Sequence, residues 1–328
     1  MSLESIVVGA MNLLGDGMYS SLRKYGLTHN RAWLIGRSDL YRFSIGKLAK
    51  HVENFTEVAE IKKGFYEYDY FNICFLNDML SMIVRAIAEN KIPQIELINS
   101  KGENLWELFF EQPFSEIDIS KKMRVEAKED TTRPFPAFDE VFSERSIQLW
   151  GSMYQRFVRF NPATWEYISK ELKEILGDKG RVLGVLCRGT DYTECKPKGH
   201  PVQPEIADVM NLAEKKMKEL HCDYIYLATE DGKIDNMFRE WFPDKILTNQ
   251  RVYYDEIFKN NQLTWIKDVH FERENDDYLK GIEYLSSLTI LSKCTALIAG
   301  NCGGSQAAVF MNKGAYEETH IFNLGIYE

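Results

Sequence analysis

Between residues 181 and 324, short apolar runs of strand length alternate with stretches whose apolar residues recur every three to four positions. That alternation constrains the fold more than any other feature of the chain. Arg181 to Cys187 reads as a buried strand, Glu205 to Leu220 as an amphipathic helix, Tyr224 to Ala228 as a strand and Lys233 to Trp241 as a helix. A short strand at Lys245 to Leu247 follows. Beyond an irregular polar region, Asp277 to Cys294 reads as a helix, Ala296 to Ala299 as a strand, Ser305 to Asn312 as a helix and His320 to Leu324 as a last strand. Strands separated by helices predict a parallel sheet with right-handed crossovers, a Rossmann-like domain.

The preceding segment carries two helices. Gln148 to Phe160 places Leu149, Trp150, Met153, Tyr154, Phe157 and Val158 on one stripe, and Asn161-Pro162 caps and opens a second helix that runs through Leu176 to Gly177. The first half is less regular. Asn77 is placed to cap a helix carrying Met79, Leu80, Ile83, Val84 and Ile87, a strand follows at Pro93 to Ile98, and then comes the aromatic segment Leu105 to Pro113. Tyr66, Tyr68, Tyr70 and Phe71 alternate with acids as a half-buried strand does, and residues 115–147 read as a surface excursion. At 328 residues, two domains are the natural expectation: a divergent α/β domain over 1–160 and a Rossmann-like domain over 161–328, with the junction within 160–180.

Composition narrows the function classes. Hydrophobic residues make up 45% and charged residues 27%, the balance of a globular protein able to bury a core. A net charge of -9 and a pI near 5.4 argue against a partner recognised through its phosphate backbone, so no nucleic acid is expected. Six scattered cysteines lack the short paired spacing of zinc or redox motifs and fit a reduced, cytoplasmic compartment. The apolar run Ile6 to Leu14 is broken by Gly9 and Asn12 and has no basic residues before it, so it reads as neither signal nor span. A membrane-bound acceptor is then reached peripherally, at the inner face of the membrane.

In an open parallel sheet, ligands bind beyond the carboxyl ends of the strands. Four turns occupy that edge: Arg188-Gly-Thr-Asp191, Thr229-Glu-Asp231, Thr248-Asn249 and Gly300 to Ser305. A diphosphate leaving group calls for a fixed cation and several N–H donors. Arg188 offers the planar fork, and the loop ending at Ser305 opens a helix whose free amides attract an anion, with Gly303-Gly304 letting the backbone approach. Ser305 either caps that helix or bonds a phosphate oxygen. Glu230 and Asp231 suit ribose or base donors. Each has a plainer reading: an arginine after a strand is commonly an ion-pair residue, and Thr190 and Asp191 serve as ordinary turn residues. Gly303-Gly304 lacks the lysine of a phosphate-binding P-loop, and no Gly-x-Gly-x-x-Gly follows the first strand, which excludes the common nucleoside triphosphatase and dehydrogenase signatures. The acids Glu272, Glu274, Asp276 and Asp277 read as a solvated helix start rather than a metal site.

These motifs resemble those of the superfamily that contains α-1,6-fucosyltransferases, nodulation fucosyltransferases and protein O-fucosyltransferases. The family's Gly-Val-His-x-Arg-x-Thr-Asp is similar to Gly184-Val185-Leu186-Cys187-Arg188-Gly189-Thr190-Asp191, and its His-Pro pair to His200-Pro201 at the same separation. Leu227-Ala228-Thr229-Glu230-Asp231 resembles Leu-Ala-Thr-Asp-Asp, and Leu291-Ser292 through Leu297-Ile298 to Ser305-Gln306 resembles the third motif. The resemblance covers about residues 181–328, with a weaker likeness over Asn104 to Pro113. It implies two Rossmann-like domains facing a cleft (GT-B-like), a GDP-sugar donor, inverting transfer to a glycan or glycoconjugate, and no metal or cofactor. It also implies that Arg188 holds the β-phosphate, with Thr190, Asp191, Thr229, Glu230, Asp231, Gly303, Gly304, Ser305 and Gln306 on the donor. The expected base is Glu194, then His200. This chain departs from the family at Leu186, where the motif has histidine. It departs again at Ser287, where an acid meets guanine (Glu283 and Asp277 being the available substitutes), and at Lys196, where α-1,6 members carry a carboxylate.

Overall fold

The computed structural model describes residues 49–64, 67–127, 141–249, 251–261, 263 and 265–328. The chain divides into two compact units, Met1–Asn161 and Pro162–Glu328. Both are α/β with parallel strands, and in the second unit this is the arrangement that the alternation predicts.

In the first unit, β1 (Glu57–Ile61) lies between β2 (Lys91–Ile95) and β3 (Met123–Glu126), and both pairings are parallel. Helix α1 (Ile73–Ala88) crosses from β1 to β2, and α2 (Glu144–Phe157) ends the unit. The cap of α1 is Asn72, whose side chain accepts from the Phe75 N–H, and not Asn77. Asn77 lies inside the helix and accepts the Tyr154 hydroxyl at 2.6 Å, a buried polar contact that apolar periodicity hides. Residues 67–72 form no strand. Phe71 packs edge-on to Phe75 while the Tyr68 hydroxyl binds Asp78, so this aromatic stretch serves the packing of α1. Part of the expected surface excursion is β3, an edge strand whose Met-Arg-Val-Glu sequence faces solvent and carries no apolar alternation. Tyr66, residues 2–15 and residues 128–140 lie outside the described residues.

The second unit opens with α3 (Pro162–Leu176) and continues through β4 (Val182–Leu186), α4 (Ile206–Glu219), β5 (Tyr224–Ala228), α5 (Gly232–Trp241) and β6 (Ile246–Leu247). Then come α6 (Asp255–Asn260), α7 (Asp276–Leu291), β7 (Ala296–Gly300), α8 (Gly303–Asn312) and β8 (Glu318–Phe322). Proline at the first position of α3 costs no hydrogen bond, because that N–H would be unpaired in any case. The Asn161 side-chain amide donates to the Glu107 and Leu108 carbonyls at 2.8 and 3.1 Å, which ties the start of this helix to the aromatic segment.

The sheet runs β6-β5-β4-β7-β8, all parallel. Strands β4 and β7 are buried at every position, which is why they read as unbroken apolar runs. Leu183, Val185, Ile225 and Ile298 pack beneath Val209 and Phe238 of the covering helices. Each such side chain contributes roughly 1.5–3 kcal/mol by leaving water. This order reverses direction between β4 and β7. Connections on either side of that pair leave by opposite routes and open a crevice at the carboxyl ends of the two strands. Among the described residues, no helix is long and apolar enough to cross a membrane.

Candidate functional site at the carboxyl ends of β4 and β7

The turn after β4 carries Arg188 to Asp191, then a single π-helical turn, Asp191–Cys195. Arg188 is 16% exposed and sits between two carboxylates: Nη2 donates to Asp191 Oδ1 at 2.6 Å, and Nε lies 3.3 Å from Glu230 Oε1 without hydrogen-bond alignment. Its guanidinium also lies over the Tyr192 ring, 4.9 Å from the centroid. Burial opposes the charge, but Glu230 and Asp191 outweigh that penalty and hold the guanidinium well above its usual pKa.

The carboxylates are themselves hydrogen-bonded elsewhere. Glu230 Oε1 accepts the Gly189 N–H at 2.8 Å and the Thr190 hydroxyl at 3.0 Å, while Asp191 accepts the Tyr192 N–H at 2.9 Å and the Ile266 N–H at 3.2 Å. Their charge is thus shared over several donors, and Arg188 is oriented rather than consumed. The turn is held in a costly shape: Thr190, almost fully buried, has φ 27° and ψ -116°. A non-glycine residue there stores about 1–3 kcal/mol, which persists only where surrounding contacts enforce it. Gly189 is required beside it, because a Cβ would fall 2.5 Å from the Asp231 carboxylate.

The β5 turn supports this arrangement. Asp231 caps α5 by accepting the Lys233 and Ile234 N–H groups at 2.8 and 3.4 Å, and the Thr229 hydroxyl accepts the Asp231 N–H at 3.2 Å. Glu230 and Asp231 therefore brace the Arg188 turn. At β6, Asn249 is buried with the Tyr226 hydroxyl and Ser287, and the Thr248 hydroxyl accepts from Arg239, so this turn is committed to internal contacts. Glu283, one of two substitutes for the missing acid, is clasped by both terminal nitrogens of Arg273, at 2.7 and 3.1 Å.

The β7 turn leads into α8, and β7 pairs with β4, the strand that ends before Arg188. Ser305, fully buried, accepts the Cys302 N–H at 3.0 Å and donates to the Cys302 carbonyl at 2.9 Å, so its hydroxyl serves the helix cap. Gly304 is a packing requirement, since a Cβ would lie 3.0 Å from the Tyr284 hydroxyl and 3.1 Å from Leu186. Gln306 is buried and reaches Asn301 Oδ1 at 3.5 Å. What this turn presents is the amino end of α8, whose first amides lack helical partners.

The two base candidates separate. Glu194 is ion-paired with Lys259 at 3.0 Å on the exposed side of the π-turn. His200 stands over the Arg188 turn, with Nδ1 3.1 Å from the Tyr192 hydroxyl and its ring edge-on to Tyr192. Burial depresses its pKa below the ordinary value; Arg188 pushes the same way and Asp191 opposes. No sequence motif signals the brace on this loop. Residues 325–327 run antiparallel to it: Gly199 N–H to Tyr327 carbonyl, Tyr327 N–H to His200 carbonyl, and Val202 N–H to Gly325 carbonyl, each 2.9 Å. Nor does any motif mark the region around Tyr254, whose N–H bonds the Glu230 carbonyl at 2.8 Å. A turn-rich polar sequence gives no periodic signal for either.

Of the acidic cluster, Asp276 and Asp277 approach His270, with potential ligand atoms within 4.8 Å of one another. Arg273 takes Asp276 at 2.7 Å and Lys280 lies 3.5 Å from both acids, which neutralises the group. All six cysteines are free thiols.

No protein-family model matches the chain, and no curated protein does. Solved structures resemble it. The fucosyltransferase NodZ from Bradyrhizobium is 12% identical, over 77% of this chain and 92% of that one, with a TM-score of 0.46. NodZ alpha-1,6-fucosyltransferase co-crystallized with GDP is 13% identical over 78% and 92%, with a TM-score of 0.45. The apo form of POFUT1 is 10% identical over 82% and 75%, with a TM-score of 0.38.

Proposed function

We propose that this protein is a glycosyltransferase that takes a sugar from a nucleoside-diphosphate donor and passes it to an acceptor hydroxyl with inversion. One observation carries the reading: an oriented guanidinium, Arg188, follows β4 at the reversal point of a parallel sheet, and the paired strand β7 leads directly into α8. The acceptor oxygen forms a bond to the anomeric carbon as the bond from that carbon to the diphosphate breaks. The nucleoside diphosphate departs with the electron pair. Arg188 stabilises the charge that develops on the leaving oxygens, and the chain itself supplies the cation that other transferases take from a metal.

His200 is our candidate for the base that receives the acceptor proton, ahead of Glu194, whose carboxylate is paired with Lys259. A depressed pKa keeps the imidazole neutral near pH 7. In the tautomer that donates Nδ1–H to the Tyr192 hydroxyl, 3.1 Å away, Nε2 is the basic nitrogen.

GDP-fucose is the first donor to test, on the motif resemblance at Arg188, Thr229 and Ser305. A donor with a different base is favoured by one local fact: Ser287 and Glu283 are both engaged, with Asn249 and Arg273. A thermal-shift screen with GDP, UDP, ADP and CMP separates these readings. A nucleotide at 100 times its Kd adds about 2.7 kcal/mol to the folded state. Stabilisation by one nucleotide together with release of that nucleotide from its sugar conjugate supports the reading; stabilisation by none contradicts it. Binding without turnover in the presence of acceptors identifies a non-catalytic nucleotide-binding module.

A further inference from the structure

Resting on that reading, we propose that Trp265 is the platform for the acceptor and that the acceptor is a saccharide. Four groups follow one another from the turn after β4. The Arg188 guanidinium lies over Tyr192 at 4.9 Å, the Tyr192 ring meets His200 at 5.5 Å, and His200 meets the Trp265 indole at 5.4 Å with the planes tilted by 50°. The innermost group serves the diphosphate and the third serves the transferred proton. The group whose oxygen gives up that proton therefore lies at His200, and the body of the acceptor extends onto the next surface, which is the indole.

Trp265 is not spent on its own segment. Its neighbours Leu263 and Ile266 pack against the cluster of Tyr254, Phe258 and Val269, whereas Trp265 is absent from that cluster, turns to His200 and stays half-exposed. A bulky side chain is ordinarily placed in a core, so an indole held out of it at the mouth of a site is a contact surface. Its position is fixed relative to the reacting groups, because the next residue, Ile266, donates its N–H to Asp191 at 3.2 Å. A pyranose suits the surface. Its axial C–H groups make one face apolar and stack on an aromatic ring, while its rim hydroxyls remain free to meet His200. A peptide serine or threonine hydroxyl, on a one-carbon stem, offers no such face.

The test is saturation-transfer NMR on the intact protein with a 10-fold excess of the nucleotide that the thermal-shift screen selects, using methyl glycosides of glucose, galactose and N-acetylglucosamine and a threonine-containing peptide as probes. Transfer to the ring protons of at least one glycoside is expected, lost in Trp265→Ala and partly retained in Trp265→Phe. Transfer that survives undiminished in Trp265→Ala, transfer to the peptide alone, or no transfer to any glycoside overturns the proposal. A thermal shift with GDP, UDP, ADP and CMP on the same samples reports the donor reading separately. A shift by any of these nucleotides without glycoside transfer refutes the platform alone, and the absence of both refutes both. The same nucleotide shift in Trp265→Ala as in the native protein ties the lost transfer to the indole and not to unfolding.

Discussion

The turns after β4 and β7 flank the same crevice, and both looked like phosphate ligands in sequence, yet they are built on opposite principles. The β4 turn is a web of side chains: Arg188, Asp191, Glu230 and the Thr190 hydroxyl bind one another, and the backbone is strained to let them do so. The β7 turn is a backbone device. Its serine is spent on the cap and Gly304 on packing, so what it has left to offer is backbone amides at the start of α8. Charge that must hold one orientation calls for many partners, whereas an amide cradle needs only that nothing stand in front of it. Substitutions at the β4 turn should therefore change chemistry, and those at the β7 turn should change stability.

The largest effect is expected at Arg188. Arg188→Ala should reduce sugar transfer on the order of 100-fold or more, read as kcat/KM for the donor, because a preorganised charge at the leaving group is removed. Arg188→Lys should recover little, since an ammonium cannot span both Asp191 and the leaving group. Glu230→Gln comes next. Losing the carboxylate between Arg188 and the Gly189 N–H should cost about 3 kcal/mol by denaturant unfolding and lower activity with it. An unchanged activity would detach this turn from the chemistry.

Smaller effects test the β7 side. Gly304→Ala should cost about 1–3 kcal/mol by forcing Leu186 or the Tyr284 hydroxyl aside. Ser305→Ala should cost about 1 kcal/mol as a lost cap, with KM for the donor unchanged; a raised KM would return its hydroxyl to the phosphate. The mildest test is pH. Burial depresses the pKa of His200, so the acid limb of kcat/KM should fall below the ordinary imidazole value of about 6.5. The same shift has a stability consequence. The unfolded chain binds a proton at His200 more readily than the folded one, so this contribution is present at neutral pH and is lost as pH falls through the folded pKa. An acid limb above pH 7 would exclude His200 as the base.

Much of this second unit could be read from the sequence because parallel strands buried on both faces leave unbroken apolar runs. Tyr224–Ala228 stands where it was expected, and β4 and β7 differ only at their ends. The first unit was harder, since β3 is an exposed edge with no pattern and α1 buries Asn77 and Asp78 among its apolar residues. At the site, periodicity and the strand-end rule placed Arg188, Asp191 and Glu230 together. They could not show which carboxylate faces a ligand and which faces the arginine, because that depends on side-chain geometry. Trp265 and the strap at 325–327 left no trace, as both act through contacts distant in sequence.

The most direct test of the account is calorimetric titration of GDP, or of whichever nucleotide the screen selects, into the native protein, Arg188→Ala and Ser305→Ala. The account predicts at least a tenfold loss of affinity in Arg188→Ala, about 1.4 kcal/mol, and a change within about twofold in Ser305→Ala, whose lost cap lowers stability alone. Undiminished binding in Arg188→Ala, or an equal loss in both variants, would contradict the division of labour between the two turns.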